Sequence, residues 1–109
     1  MDLFPGTLEL MILEILRRGP LHGYGIAKLI KLRSQEALRV EEGSLYPALQ
    51  RLLKEKLVTA RWRLTETGRR ARYYSLTAAG RHQLGQERTG YERMVAAIGR
   101  VLKPAGGAS

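Results

Sequence analysis

Apolar side chains recur at intervals of three and four residues in three stretches of the first half of the chain. This spacing predicts one helix over residues 7–18, which a Gly-Pro pair ends, and a second helix over residues 24–33. A third amphipathic stretch predicts a helix with Ser44 as its N-cap and Pro47 in its first turn, where a missing N–H costs no helical hydrogen bond. We therefore expect three helices in the first half of the chain.

The period changes from helical to alternating after the third helix. Apolar and polar residues alternate over residues 58–64, which predicts a strand with Trp62 on its inward face as a core residue. A polar stretch around Gly68 predicts a turn, and residues 72–76 predict the returning strand of a hairpin. Three helices followed by a hairpin with a basic tip are the elements of a winged helix-turn-helix. We therefore expect a mostly helical α+β fold, with this domain over residues 1–76 and a two-stranded wing.

A last long helix is predicted over residues 77–103, with Thr77 as its N-cap. Its apolar residues form a stripe that repeats every seven residues. A single helix that follows a complete three-helix core has little surface of its own chain left to cover, so the stripe favours a contact between two subunits. Packing against its own domain is the alternative. Four glycines weaken this helix, and residues 104–109 are expected to form a flexible tail.

The charge of the chain is concentrated in its second half. The 109 residues carry a formal charge of +9, of which residues 1–42 contribute none, residues 43–74 contribute +6 and residues 75–109 contribute +3. Arginine outnumbers lysine by 14 to 5, and the planar arginine side chain suits phosphates and base edges. A local basic patch of this kind indicates nucleic-acid binding. An acidic lipid surface and a plain solvated face are the alternatives.

Several other classes of protein are excluded by composition. The absence of cysteine excludes a disulfide scaffold and any thiolate site. The early apolar stretch over residues 8–16 contains two glutamates, so it is too short and too polar for a membrane span, and it makes a poor signal peptide. We therefore expect a cytoplasmic protein without a membrane partner.

Residues for catalysis are scarce. The chain has one aspartate, its histidines His22 and His82 are sixty positions apart, and the adjacent side chains of Glu41 and Glu42 diverge. No Ser-His-acid set, metal-ligand spacing or glycine-rich phosphate loop is present in the sequence. We therefore expect no catalytic residue, no metal and no cofactor, and we do not expect an enzyme.

Four sequence motifs carry a resemblance to a known family. They are Gly-Pro-Leu-His-Gly-Tyr at 19–24, Gly-Ser-Leu-Tyr-Pro-Ala-Leu at 43–49, the arginine-rich hairpin at 68–72, and Tyr-Tyr-Ser-Leu-Thr-Ala-Ala-Gly at 73–80. In this order and spacing, the chain closely resembles the PadR family of bacterial transcriptional regulators, and its short C-terminal part resembles the compact subfamily with one dimerisation helix. The resemblance implies a homodimeric winged-helix repressor of promoter DNA, often tuned by a small ligand.

The family's DNA-facing positions map onto the second and third helices and the hairpin of this sequence. The resemblance implies contacts to double-stranded DNA by Tyr24, Ser44, Tyr46, Pro47, Gln50, Arg51, Arg69, Arg70 and Arg72. Gln50 and Arg51 have the donor patterns that suit adenine and guanine edges, and Ser44 at a helix N-terminus suits phosphate. Packing roles for the two tyrosines and a solvated turn for the arginines are the alternatives.

The same resemblance implies a homodimer formed by the first and last helices. The interface is expected to contain Leu8, Met11, Leu84, Tyr91, Met94, Val95, Ile98, Val101 and Leu102. Leu8, Met11, Tyr91, Met94 and Val95 are also candidates to line a cavity for a small hydrophobic or aromatic effector, although such a stripe more often forms plain interface core.

The sequence therefore predicts a sequence-specific regulator that binds a pseudo-palindromic operator as a homodimer. Two other classes remain open: a nucleic-acid-binding protein without sequence preference, and a winged-helix module that binds a partner protein.

Overall fold

The computed structural model describes residues 6–104, which form four helices and one three-stranded sheet. In chain order the elements are α1 (Thr7–Leu16), β1 (Leu21–His22), α2 (Gly23–Arg33), α3 (Glu42–Lys54), β2 (Val58–Leu64), β3 (Arg70–Leu76) and α4 (Ala78–Leu102). The mostly helical α+β winged-helix fold is thus confirmed, with the long C-terminal helix in place. The predicted flexible tail beyond Pro104 lies outside the described residues.

The sheet is antiparallel in the order β1-β3-β2. In the hairpin, Val58 lies opposite Leu76 at the base and Leu64 lies opposite Arg70 at the tip. Gly68 closes the turn at a φ of 84°, a left-handed conformation that favours glycine. The short strand β1 adds Leu21 and His22 to the other edge of β3. Sequence alternation missed this strand because two residues are too few to show a period.

The core is a single cluster to which every helix contributes. Its largest fully buried side chains come mostly from α1 and α3: Ile12, Leu13, Leu16, Ile26, Leu45, Leu49 and Val58. Those in α1, α2 and α3, apart from Leu13, occupy the apolar positions that the helical spacing predicts, and Val58 belongs to β2. Helix α1 is the central element, since it contacts α2, α3, α4 and β3.

Helix α4 begins inside this core and ends outside it. Thr77 caps its N-terminus as predicted, because the Thr77 hydroxyl accepts a hydrogen bond of 2.9 Å from the backbone N–H of Gly80. Leu84, which we expected at the interface between subunits, is 5% exposed and belongs to the core of its own chain. Packing against its own domain is therefore correct for the first two turns of α4. Leu8 is buried in the same cluster.

Helix α3 begins earlier than the sequence suggests. Its N-cap is Glu41 and not Ser44, which lies within the first turn and donates its backbone N–H to the Glu41 carbonyl at 3.0 Å. Pro47 consequently lies inside the helix and not at its start. The sequence predicted Pro47 in the first turn, where proline destabilises a helix least. The N–H that Pro47 lacks would have faced the carbonyl of Gly43, an exposed residue, so the break lies on the outer side of the helix.

Trp62 is not a core residue, contrary to the alternation in β2. It is 58% exposed, and its neighbour on the same face, Leu64, is 66% exposed. Val58 at the base of this face is buried, as the pattern predicts. The hairpin extends beyond the helices, so its outer half has no core to face.

The molecule is elongated. Its extents are 61 × 28 × 22 Å and its radius of gyration is 16.4 Å, against about 13 Å for a compact domain of this length. The outer part of α4 accounts for this length, since its side chains from Gly85 onward are mostly exposed. Within residues 6–104 we find no helix with the length and apolar character that a membrane span requires.

Candidate nucleic-acid interface

The outward face of α3 presents a row of polar and small side chains. Leu45, Ala48, Leu49 and Leu52 point into the core. On the opposite side, Pro47, Gln50 and Lys54 follow one another at helical spacing and are exposed. A helix with one buried face and one open polar face can enter a major groove, where Gln50 has the amide pattern that reads adenine. Lys54 shares this row, although the family positions did not single it out.

The N-terminus of α3 differs from the phosphate site that we expected. Glu41 caps it and Glu42 is its first residue, and both are exposed. Two carboxylates satisfy the positive end of the helix dipole and repel a phosphate. Ser44 is exposed in the first turn, two residues after Glu42. This end of the helix is therefore a poorer anion site than the sequence suggested.

Arg51 is held at the side of the outward face. Its Nη2 donates to Oε1 of Glu9 in α1 at 2.6 Å, while 57% of the Arg51 side chain stays exposed. The ion pair joins residues 42 positions apart, so no sequence pattern predicts it. An exposed pair of this kind contributes at most about 1 kcal/mol, so Arg51 can exchange Glu9 for DNA at small cost.

Tyr46 lies on the other side of α3 and connects the helix to the wing. A Cβ atom added to Gly23 would lie 2.7 Å from the Tyr46 hydroxyl, so the two helices meet closely at this point. Tyr46 also acts on Tyr74 of β3, since its charge contributes to the pKa of that residue. Burial raises the pKa of Tyr74, the Arg72 guanidinium opposes this shift, and nearby Tyr46 adds to it. Tyr46 therefore packs against its neighbours with part of its side chain, while 41% of the residue stays exposed.

The wing carries the densest positive charge in the described structure. Arg61, Arg63, Arg69, Arg70 and Arg72 are all exposed on the hairpin, where Glu66 is the one acidic residue between residues 58 and 76. Two of the arginines are fixed against aromatic rings: Arg63 lies 4.8 Å from the Tyr73 ring centroid and Arg70 lies 5.2 Å from that of Trp62. The wing therefore presents ordered guanidinium groups on both of its faces.

Tyr24 and His22 form a small aromatic group beside the wing. Nδ1 of His22 caps α2 by accepting the N–H of Gly25 at 2.8 Å, so the His22 ring is fixed. That ring lies 5.2 Å from Tyr73 and 6.2 Å from Tyr24. Tyr24 remains highly exposed, with its hydroxyl available to a ligand. The His22 ring therefore links Tyr24 to Tyr73 of the wing, and Gly23, which precedes Tyr24, meets Tyr46 of α3.

The outer half of α4 forms a second surface of different character. Six large apolar side chains are exposed there: Tyr91, Met94, Val95, Ile98, Val101 and Leu102. The inner half of the helix is fixed to α1 by a 3.1 Å ion pair between Arg88 and Glu14. Met11 is partly buried at the edge of the core. The apolar stripe is therefore held out from the domain and has no partner in the described part of its own chain.

No metal-binding group of side chains is present among residues 6–104. In this part of the chain, no three histidine, aspartate or glutamate side chains converge. His22 is engaged as a helix cap, and His82 is exposed on α4.

The profile of the transcriptional regulator PadR-like family matches residues 12–86 of the chain. This range covers the second half of α1, both helices of the helix-turn-helix, the wing and the start of α4. The chain belongs to the PadR-like family. It is therefore a member of a family of transcriptional regulators, not of enzymes.

Individual PadR-like proteins support the assignment. A transcriptional regulator of Mycobacterium tuberculosis is 34% identical over 88 residues, which make up 81% of this chain and 78% of that protein. A solved transcriptional regulator from Clostridium thermocellum has a TM-score of 0.82 at 30% identity, over 90% of this chain and 92% of the other.

A relative with DNA bound is also known. The structure of Bacillus subtilis PadR in complex with operator DNA has a TM-score of 0.65 at 30% identity. The comparison covers 73% of this chain and 45% of that chain, so the likeness extends over less than half of the Bacillus protein.

Proposed function

We propose that this PadR-like protein is a homodimeric repressor that binds a pseudo-palindromic operator through α3 and the wing. The observation that carries the proposal is that one small domain presents both an exposed polar row on α3 and five exposed arginines on its hairpin. The row of Pro47, Gln50 and Lys54 offers a base-reading face, and the wing offers charge to the sugar-phosphate backbone. The Bacillus relative binds operator DNA in its solved structure and is called a negative transcriptional regulator, which supports the proposal.

The dimer contact that we propose is the exposed stripe of α4. The stripe runs from Tyr91 to Leu102, and its six apolar side chains are between 47% and 81% exposed. A continuous apolar surface of this kind is typical of an interface between subunits. We propose that residues 77–103 act as the dimerisation helix, although its first two turns also complete the core of the domain over residues 6–76.

Two-fold symmetry then sets the form of the operator. Two α3 helices in successive major grooves require half-sites about 34–36 Å apart, which is one helical turn of DNA. A dimer in this position on a promoter excludes polymerase by occupying its site. Because the DNA of a bacterial cell lies in its cytoplasm, the proposal also places the protein there.

An effector site is a secondary part of the proposal. Leu8 is buried in its own core and cannot line a cavity. Met11, Tyr91, Met94 and Val95 remain as candidates to line an apolar space between two subunits. A planar aromatic ligand that binds there would lower DNA affinity by changing the distance between the two α3 helices.

Selection of random duplex DNA on the purified protein tests the proposal. We expect an enriched palindrome with half-sites one helical turn apart, bound by two chains. A single enriched half-site would contradict the dimer. Retention of DNA without any enriched sequence would indicate a protein without sequence preference, and a lack of binding at low salt would favour a protein-interaction module.

A further inference from the structure

Trp62 occupies an unusual position for the only tryptophan of the chain. It lies on the outer half of β2, and more than half of it is exposed, together with Leu64 on the same face. Burying an aromatic ring of this size is strongly favourable, so an exposed tryptophan beside an exposed leucine indicates a surface that another molecule covers. The core of the protein does not cover Trp62, because the outer half of the hairpin extends beyond the helices.

Guanidinium groups surround this apolar surface. Arg72 lies directly opposite Trp62 in the strand register, and Arg70 lies opposite Leu64. The Arg70 guanidinium is 5.2 Å from the centroid of the Trp62 ring, so the ring restricts where this charge can lie. The face formed by Trp62, Leu64, Arg70 and Arg72, which we call the tryptophan face, therefore alternates apolar and cationic groups.

We propose that the tryptophan face lies against the sugar-phosphate backbone of duplex DNA, with Trp62 as both a contact and a positioning residue. The indole ring covers deoxyribose, which is the apolar part of the backbone, and it holds the Arg70 guanidinium towards the neighbouring phosphate. This inference deepens the proposed function and rests on it, because it states that the wing contacts the backbone of one strand of the same operator.

Charge identifies DNA as the occupant. The hairpin carries five arginines and one glutamate, so a polyanion is favoured over a neutral or basic surface. A second copy of the wing has the same charge and is repelled. The tryptophan face continues along the same side of the hairpin to Ala60 and Tyr74, which lie opposite each other. Tyr74 belongs to the core cluster that α3 also packs into, so this face adjoins the part of the domain that carries α3.

The contact does not depend on base sequence, because sugars and phosphates are the same at every step. Replacing the ring by alanine removes the cation–π partner of Arg70 and the contact with sugar. We expect Trp62→Ala to weaken binding about three- to ten-fold, equally for the selected operator and for a random duplex. Trp62→Phe keeps a ring and is expected to recover part of this loss.

Fluorescence of Trp62 tests the inference directly, since it is the only tryptophan. The full-length wild-type protein is titrated with a duplex of about 20 base pairs, and quenching by acrylamide, a neutral quencher, is measured before and after binding. We expect the bound duplex to protect Trp62 from the quencher. In the affinity measurement, Leu32→Ala serves as the matched control for Trp62→Ala, because Leu32 is also an exposed apolar residue, with 56% exposure on α2. We expect Leu32→Ala to bind the duplex with wild-type affinity.

The outcomes separate this inference from the proposed function. If the duplex binds but does not change acrylamide quenching, and Trp62→Ala binds with wild-type affinity, the proposed contact of the tryptophan face is refuted while the proposed DNA-binding function is not. If the wild-type protein binds no duplex, both proposals are refuted. A Trp62→Ala protein that fails to fold would contradict the exposed position of Trp62, and the wild-type quenching measurement would remain valid as the test of contact.

Discussion

Gly80 and Gly85 both lie in α4, and the structure predicts opposite effects when each is replaced by alanine. A Cβ atom at Gly80 would collide with the backbone carbonyl oxygen of Leu57 and would lie 2.9 Å from the Leu76 side chain. A Cβ atom at Gly85 meets nothing within 4 Å. The same substitution therefore gains helix propensity at both positions but disturbs packing at only one of them.

The magnitudes follow from the contacts at each position. Alanine in place of glycine stabilises a helix interior by about 1 kcal/mol, which is the full effect expected for Gly85→Ala. At Gly80 this gain is outweighed, because the Leu57 carbonyl accepts hydrogen bonds from both the N–H and the hydroxyl of Thr77, each at 3.1 Å. Displacing that carbonyl weakens two bonds of about 1 kcal/mol each and adds steric strain of about 1–3 kcal/mol. If both bonds are lost, we expect a net loss of about 2–4 kcal/mol.

Thermal unfolding at one fixed protein concentration measures both effects. We expect Tm to rise by about 4–8 °C for Gly85→Ala and to fall by a similar or larger amount for Gly80→Ala. Circular dichroism at 222 nm follows the transition. If Gly80→Ala is as stable as Gly85→Ala, α4 does not approach Leu57 closely and the packing of its first turns on the core is refuted.

Three further predictions concern function. Gln50→Ala should reduce discrimination at one base position of the selected operator by about 1–3 kcal/mol, measured with single-base variants, and uniform weakening would remove Gln50 from base reading. Glu9→Gln should strengthen binding to all duplexes a few-fold by freeing Arg51, with the exposed Glu36→Gln as control; unchanged affinity would show that Arg51 makes no DNA contact. Ile98→Glu should yield monomers in sedimentation equilibrium while Arg100→Glu does not, and a dimeric Ile98→Glu would contradict the α4 interface.

Periodic patterns predicted the elements whose environment is set by the nearby chain. The helical spacing located α1, α2 and most of α3, and alternation located both strands of the hairpin. Thr77 was correctly predicted as a cap, because a cap depends on a side chain and the N–H three residues later. Each of these features is local, so the sequence contains the information.

The errors arose where the outcome depends on distant parts of the molecule. Alternation shows that Val58 and Trp62 share a face of β2. It does not show how far along the strand the helical core covers that face. Leu84 has the heptad spacing of an interface residue and is nevertheless buried, because α1 lies against the start of α4. Helix α3 begins at Glu42 and not after Ser44, because acidic residues favour a helix N-terminus and compete with the preference of proline for the first turn.

The candidate interface was predicted in composition but not in geometry. The motifs predicted Tyr46 and Arg51 as candidate residues but did not predict their neighbours. These are Gly23 and Tyr74 for Tyr46, and Glu9 for Arg51. These contacts bring together residues from separate elements. They decide how freely each side chain can turn towards DNA.

The measurement that tests the central claim most directly is the ratio of two dissociation constants at about 150 mM salt, one for the selected palindrome and one for a scrambled duplex of equal length. A regulator that reads bases through α3 binds its operator about 10³-fold or more tightly than the scrambled duplex. We expect a ratio of this size for the wild-type protein. A ratio near one would show that the basic wing and α3 bind DNA by charge alone and would contradict operator recognition by this PadR-like protein.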